Sequence, residues 1–152
     1  MDNSQRTGQY NQRFESRINQ TPEEKVEELR KRIKNYFGQT YVKSILNLDE
    51  GNYIFIIDKT SDFVQKELKG VTSSQLRNLF NHVKNNEDNT IGLFKLKPLL
   101  AYAVGREKKG KMDMFAMLTE DLLSGINNEN KKNFVEFFEA IVAYHKRFHG
   151  GD

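Results

Sequence analysis

The sequence lacks several residue types and patterns, and their absence excludes certain classes of protein and site. Its 152 residues contain no cysteine, no tryptophan and only two prolines. Without cysteine, a disulfide framework, a cysteine-built metal site and a thiol nucleophile are excluded. No apolar run approaches the roughly 20 residues that a membrane helix needs. The first residues, MDNSQ, lack the apolar core of a secretory signal, so we expect a soluble cytoplasmic protein without a membrane partner.

The charge is small overall but unevenly distributed. Twenty-four Lys and Arg residues face 21 Asp and Glu residues, for a net charge of +3. In residues 23–34 the charges nearly cancel, which is typical of a solvated helix face. In residues 95–111 one acid, Glu107, accompanies six cations, an excess that indicates either an anion site or a solubilising surface. These cations are Lys95, Lys97, Arg106, Lys108, Lys109 and Lys111.

Apolar spacing predicts an all-α fold, a compact bundle of about five or six helices behind a disordered N-terminal tail. The tail is residues 1–20, which hold seven Asn or Gln and few apolar side chains. Residues 21–152 are predicted to form a single helical domain. Capping boxes at 21–24 and 72–75 mark two helix starts. Six predicted helices cover 22–37, 60–69, 73–85, 92–104, 112–124 and 128–148, and a further short helix is predicted at about 41–48.

Two segments are ambiguous at this level. The run Tyr53-Ile54-Phe55-Ile56-Ile57 is typical of a buried strand, but the sequence has no second such run to pair with it. We therefore predict a buried entry into the helix at 60–69. Pro98 lies inside the span 92–104, where it predicts either a kink or a later helix start near Lys97.

Residues that suggest catalysis are scarce. His145 and His149 have the i,i+4 spacing that can chelate a metal, but no second ligand pair is nearby, so a core or surface role is favoured. Glu136 and Glu139 form an i,i+3 pair on the polar face of the last helix, where nothing suggests a shielded pocket. We expect no enzyme activity, no cofactor, no metal and no small-molecule substrate.

Basic residues at regular helical spacings remain. Arg77, Asn81 and Lys84 share one stripe of the helix at 73–85. Lys95, Tyr102 and Arg106 share another, where Tyr102 is either an aromatic contact to a polynucleotide or a core-edge tyrosine with a bonded hydroxyl. The loop that follows carries Gly105 and Gly110, and glycine allows close backbone approach. This pattern favours a site that binds a phosphate backbone, without an element that reads bases.

Three segments, in order, resemble a known family. They are TSSQLRNL at 72–79, LKPLLAYAVGR at 96–106 and NFVEFFEAIVAYHK at 133–146. Together they are similar to the small α-helical subunit of type III-A CRISPR effector (Csm) complexes. The resemblance covers about 60–149, which divides the helical domain into an N-terminal extension at 21–58 and a small-subunit core at 59–149.

The resemblance implies a non-catalytic subunit for antiviral defence. Several copies would self-associate in an array beside other subunits of the effector complex, holding a duplex of guide RNA and target RNA by its backbone. Lys97 does not share the stripe of Lys95, Tyr102 and Arg106, so either Pro98 distorts the turn or only one set faces RNA. The candidate nucleic-acid contacts are Arg77, Lys84, Lys95, Lys97, Tyr102, Arg106, Lys108, Lys109 and Lys146.

Two other functions stay open from the sequence. A protein-only scaffold would use the same charges for solubility and subunit contacts. A nuclease would use His145, Glu139 and a metal ion, with turnover that a chelator abolishes.

Overall fold

The computed structural model describes residues 20–150, so all of the predicted tail except Gln20 lies outside the described residues. No described residue is in a strand, and six of the helices have eleven residues or more, which confirms the all-α bundle. In chain order the helices are α1 Pro22–Phe37, α2 Tyr41–Ile45, α3 Tyr53–Glu67, α4 Ser73–Asn85, α5 Thr90–Phe94, α6 Leu96–Arg106, α7 Asp113–Leu123 and α8 Lys131–His149.

Capping residues set the helix ends much as the sequence predicts. The Thr21 hydroxyl accepts a hydrogen bond from the Glu24 amide at 3.1 Å, and α1 ends at Gly38, whose φ of 95° favours glycine. At the start of α4 the capping box is complete. The Gln75 amide donates to the Thr72 side chain, and the Thr72 amide donates to the Gln75 side chain. Local chemistry therefore fixes where these two helices begin.

The segment at 53–57 differs from its predicted form. It is the first turn and a half of α3 rather than a buried entry, and Ile56 is its one buried residue. Tyr53, Ile54 and Phe55 are 36%, 68% and 52% exposed. The helical period explains the difference, because it places only every third or fourth residue of this apolar run on the core side.

The helix predicted at 92–104 is divided at Lys95 into α5 and α6, as the later-start alternative requires. Pro98 is the third residue of α6. The first four amides of a helix have no intrahelical acceptor, so proline loses no hydrogen bond there. The helix continues without interruption to Arg106.

A single hydrophobic core unites the described residues. Helix α8 supplies Phe134, Phe137 and Phe138, each no more than 1% exposed, and packs against α3 and α4. Phe37 of α1 meets Phe137 edge to face at 5.8 Å, so the helices before residue 59 share this core. Within the described residues, no helix combines the length and apolarity needed to cross a membrane.

Candidate nucleic-acid interface

All nine predicted contact residues are exposed in the structure. Lys84 is the member of this set whose charge has a carboxylate partner among the described residues, because its Nζ lies 3.0 Å from Oε2 of Glu87. The other basic members have no described carboxylate within salt-bridge distance. Their charges are therefore available to an external anion, and that of Lys84 is the least available.

Arg77 and Lys146 come together although 69 positions separate them in the chain. Arg77 belongs to α4 and Lys146 to α8, and these two helices pack side by side. Both side chains line a groove with Ser73 and the partly buried Val142, which we call the Arg77 groove. Ser73 is the first residue of α4, where backbone amides and the helix dipole favour an anion. A guanidinium, an ammonium and a helix start thus converge on one concave surface.

Beneath this groove, the two histidines of α8 make hydrogen bonds that stabilise the fold. His145 is 2% exposed, and its Nε2 donates to the carbonyl oxygen of Val71 at 2.7 Å. The Nε2 of His149 donates to the carbonyl oxygen of Val64 at 3.0 Å. These bonds attach α8 to the end of α3 and to the loop before α4. They support the core role that the sequence analysis favours for His145.

Helix α6 presents its candidate residues on two different flanks. At about 100° per residue, Lys97 lies about 140° from Tyr102 and about 180° from Arg106. Tyr102 and Arg106 lie about 40° apart on α6, and Lys95 is the capping residue just before that helix begins; we call these three residues the α6 stripe. Because α6 is a regular helix through Pro98, a distorted turn does not bring Lys97 into that stripe.

Tyr102 is not a core-edge tyrosine. Its side chain is 70% exposed, and its hydroxyl has no hydrogen bond to any described residue. Leu99, one turn earlier on the same side of α6, is 42% exposed. The stripe therefore offers an open aromatic surface with cations beside it, as stacking against a base requires.

The loop after α6 is shaped by its one acid. The Glu107 carboxylate accepts hydrogen bonds from the backbone amides of Lys109 and Lys111 at 2.9 and 2.8 Å. Desolvation acts to raise the pKa of Glu107, but these amide hydrogen bonds outweigh it and lower the pKa below its usual value. Gly110 has a φ of 74°, which glycine adopts readily. The Glu107 carboxylate thus stabilises the backbone of this loop.

A second groove joins Lys109 and Lys111 of the basic cluster at 95–111 with three cations that sequence reasoning missed, Lys25, Arg32 and Lys69. Its walls are α1, the loop after α3 and the loop after α6, and we call it the α1 groove. Lys69 stands apart from any basic cluster in sequence, and α1 has a cancelling mixture of charges, so no local signal marks them. The groove cations are Lys25, Arg32, Lys69, Lys109 and Lys111.

Comparisons with known proteins identify one family. The family model described as Csm2 Type III-A matches residues 53–151, which include α3 to α8 but not α1 and α2. A curated protein from Enterococcus italicus, named CRISPR system Cms protein Csm2, is 33% identical over 100 residues. The match covers 55% of this chain and 71% of that protein. No solved structure matches the chain at comparable significance.

Proposed function

The chain belongs to the type III-A Csm2 family and is thus a structural subunit of a multi-subunit CRISPR complex, and from this premise we propose that it binds RNA without catalysing a reaction. It holds the guide RNA–target RNA duplex through sequence-independent backbone contacts, beside other copies of itself and other subunits, in antiviral defence. The observation that carries this proposal is the convergence of Arg77 and Lys146 in one groove.

The chemistry of that groove suits phosphate. Arginine offers a planar, bidentate donor pair and lysine a mobile point charge, and both are common phosphate ligands. Such contacts carry no sequence information, which leaves specificity to base pairing between the two RNA strands.

The size of the site explains why the subunit would work in an array. With three to five phosphate contacts, log K falls with log salt at a slope of roughly −2 to −3.5. Non-specific binding by one small site has a Kd of about 10⁻⁴ to 10⁻⁶ M. Several copies along one RNA make later contacts intramolecular, which gains about 10² to 10⁴ in overall affinity.

A non-catalytic role also agrees with the residues of α8. Glu136 and Glu139 are exposed, so nothing shields either carboxylate as a general acid or base would require. His145, which a nuclease would use, has Nε2 bonded to the carbonyl oxygen of Val71. These observations support the proposal against the nuclease alternative.

A protein-only scaffold is the second candidate, and one observation favours it. Tyr53, Ile54 and Phe55 form an exposed apolar cluster at the start of α3, well away from the candidate cations in sequence. Such clusters commonly mark protein contacts. A scaffold would keep its partner subunits but would not bind RNA itself.

Fluorescence anisotropy with a labelled oligouridine RNA separates these functions. We expect the full chain to bind RNA in low salt, and Arg77→Ala/Lys146→Ala to lose about tenfold or more in affinity because two phosphate contacts are removed. The matched control is Lys31→Ala/Lys43→Ala, which removes two exposed lysines from outside the Arg77 groove. Absence of RNA binding by the unmodified chain, with subunit association intact, would establish the scaffold.

A further inference from the structure

The α1 groove has a surplus of positive charge. Its five cations face three carboxylates, those of Glu28, Glu67 and Asp113. Glu28 accepts a hydrogen bond from the Gln20 amide group at 2.6 Å. Lys69, Lys109 and Lys111 have no described carboxylate within salt-bridge distance. The groove therefore presents three unpaired cations and one carboxylate, that of Glu28, without a described cation partner.

Helix α1 neutralises two of the acids in this groove. Lys25 pairs with Asp113 at 2.6 Å, and Arg32 pairs with Glu67. Both cations come from α1, which lies before the residues that the family model matches, and both acids lie within them. Without α1, Glu67 and Asp113 would repel a polyanion beside Lys69 and Lys111.

The position of Lys111 is set by its surroundings. Its backbone amide is bonded to Glu107, and its aliphatic stem lies over Gly70. A Cβ built on Gly70 would be 2.8–2.9 Å from three carbons of that stem, so the absence of a side chain at position 70 makes the room. The Lys111 stem is thus held in the groove before any ligand arrives.

The two grooves adjoin along the chain. Gly70 lines the α1 groove and Ser73 lines the Arg77 groove, with only Val71 and Thr72 between them. Three residue steps span at most roughly 10 Å. Successive nucleotides of one strand advance by about 3.4 Å along a helix axis, so a strand of a few nucleotides can reach from one groove to the other.

We propose that the α1 groove is a phosphate-binding continuation of the Arg77 groove, in which Lys69 and Lys111 contact the RNA backbone. Helix α1 allows phosphate to bind in this groove because it neutralises the carboxylates of Glu67 and Asp113. The inference rests on the proposed function and adds three things to it: two new contact residues, a path for the strand between the grooves and a role for α1.

Removing the two new contacts tests the path of the strand. RNA affinity of Lys69→Ala/Lys111→Ala is measured between about 50 and 200 mM salt beside Arg77→Ala/Lys146→Ala and the control Lys31→Ala/Lys43→Ala. We expect a loss of about tenfold at the lower salt and a slope less steep by about 1.4. If only Arg77→Ala/Lys146→Ala weakens binding, the inference is wrong and the proposed function stands. If neither weakens it relative to the control, the proposed function loses its site as well.

A charge-restoration experiment tests the role of α1. Lys25→Ala/Arg32→Ala exposes the two acids and is expected to weaken RNA binding about tenfold. Adding Glu67→Gln/Asp113→Asn removes those acids and should restore binding to within about twofold. Helix α1 stays in place in both variants because Ile33 and Phe37 are buried and Arg30 pairs with Asp121. Failure of the second pair to restore affinity would overturn electrostatic masking by α1.

Discussion

The α6 stripe presents its cations on a convex helix surface, whereas the two grooves present theirs on concave surfaces. Tyr102 and Arg106 project from one exposed flank of α6, and Lys95 is exposed just before that helix begins. The grooves gather cations from three helices and two loops, including Arg77 with Lys146 and Lys69 with Lys111. Concave surfaces concentrate electrostatic potential, whereas a convex flank shares its field with solvent. We therefore expect convergence in space to be a better guide to an anion site than density of charge in the sequence.

The largest expected effect is on the free energy of unfolding, and it distinguishes a residue of the Arg77 groove from a residue of the α6 stripe. His145 lines the Arg77 groove and is bonded to Val71 in the core, so His145→Ala should lower the free energy of unfolding by about 3 kcal/mol through an unpaired carbonyl and a cavity. Tyr102→Ala in the stripe should change it by less than about 0.5 kcal/mol, because the side chain is exposed. Urea unfolding measures both. Equal losses would show that the stripe is as integrated into the fold as the grooves.

A pH experiment isolates the attachment of α1 at the edge of the α1 groove. Burial, with help from the hydrogen bond to Glu67, raises the pKa of Tyr36 to about 12. At pH values above about 10 the unfolded tyrosine loses its proton while folded Tyr36 keeps it, so stability falls as pH rises from about 10 to 12. Solvent screening keeps this loss below about 1 kcal/mol per pH unit.

Chemical denaturation at several alkaline pH values measures that dependence, and Tyr36→Phe should make it shallower. Tyr41 shares the direction of shift, since burial and its hydrogen bond to Asp121 raise its pKa, so part of the dependence remains in the variant. A curve unchanged by Tyr36→Phe would mean that the bond between α1 and Glu67 contributes nothing to stability.

The smallest expected effects come from replacing one glycine in the α1 groove and one in α6. Gly70→Ala displaces the Lys111 stem without changing any charge, and should lower RNA affinity about twofold. Gly105→Ala in α6 meets no atom within 4 Å and should raise stability by about 0.5–1 kcal/mol, since alanine favours a helix, with RNA affinity unchanged. Anisotropy and thermal unfolding on both variants check this. A larger affinity loss at Gly105 would reverse the ranking of the two regions.

Much of the fold could be predicted from sequence, and little of the grooves. Periodicity and the Thr72 capping box predict both ends of α4 to within a residue, because both signals are local. The run at 53–57 predicts a buried segment, since β-branched and aromatic residues are usually buried, and no local pattern marks Tyr53 to Phe55 as exposed. The α6 stripe is visible as a helical spacing. The pairing of Arg32 with Glu67 joins residues 35 positions apart, and only the packed helices bring them together.

The salt dependence of RNA binding tests the central claim most directly. Log K is measured against log salt for the unmodified chain, for a groove variant and for a stripe variant. The groove variant replaces Arg77, Lys146, Lys69 and Lys111 with alanine, and the stripe variant replaces Lys95, Tyr102 and Arg106. We predict that the groove variant loses about 2.8 from a slope of roughly −3.5, and the stripe variant at most about 0.7. An undiminished slope in the groove variant would contradict the claim that these grooves hold the RNA backbone.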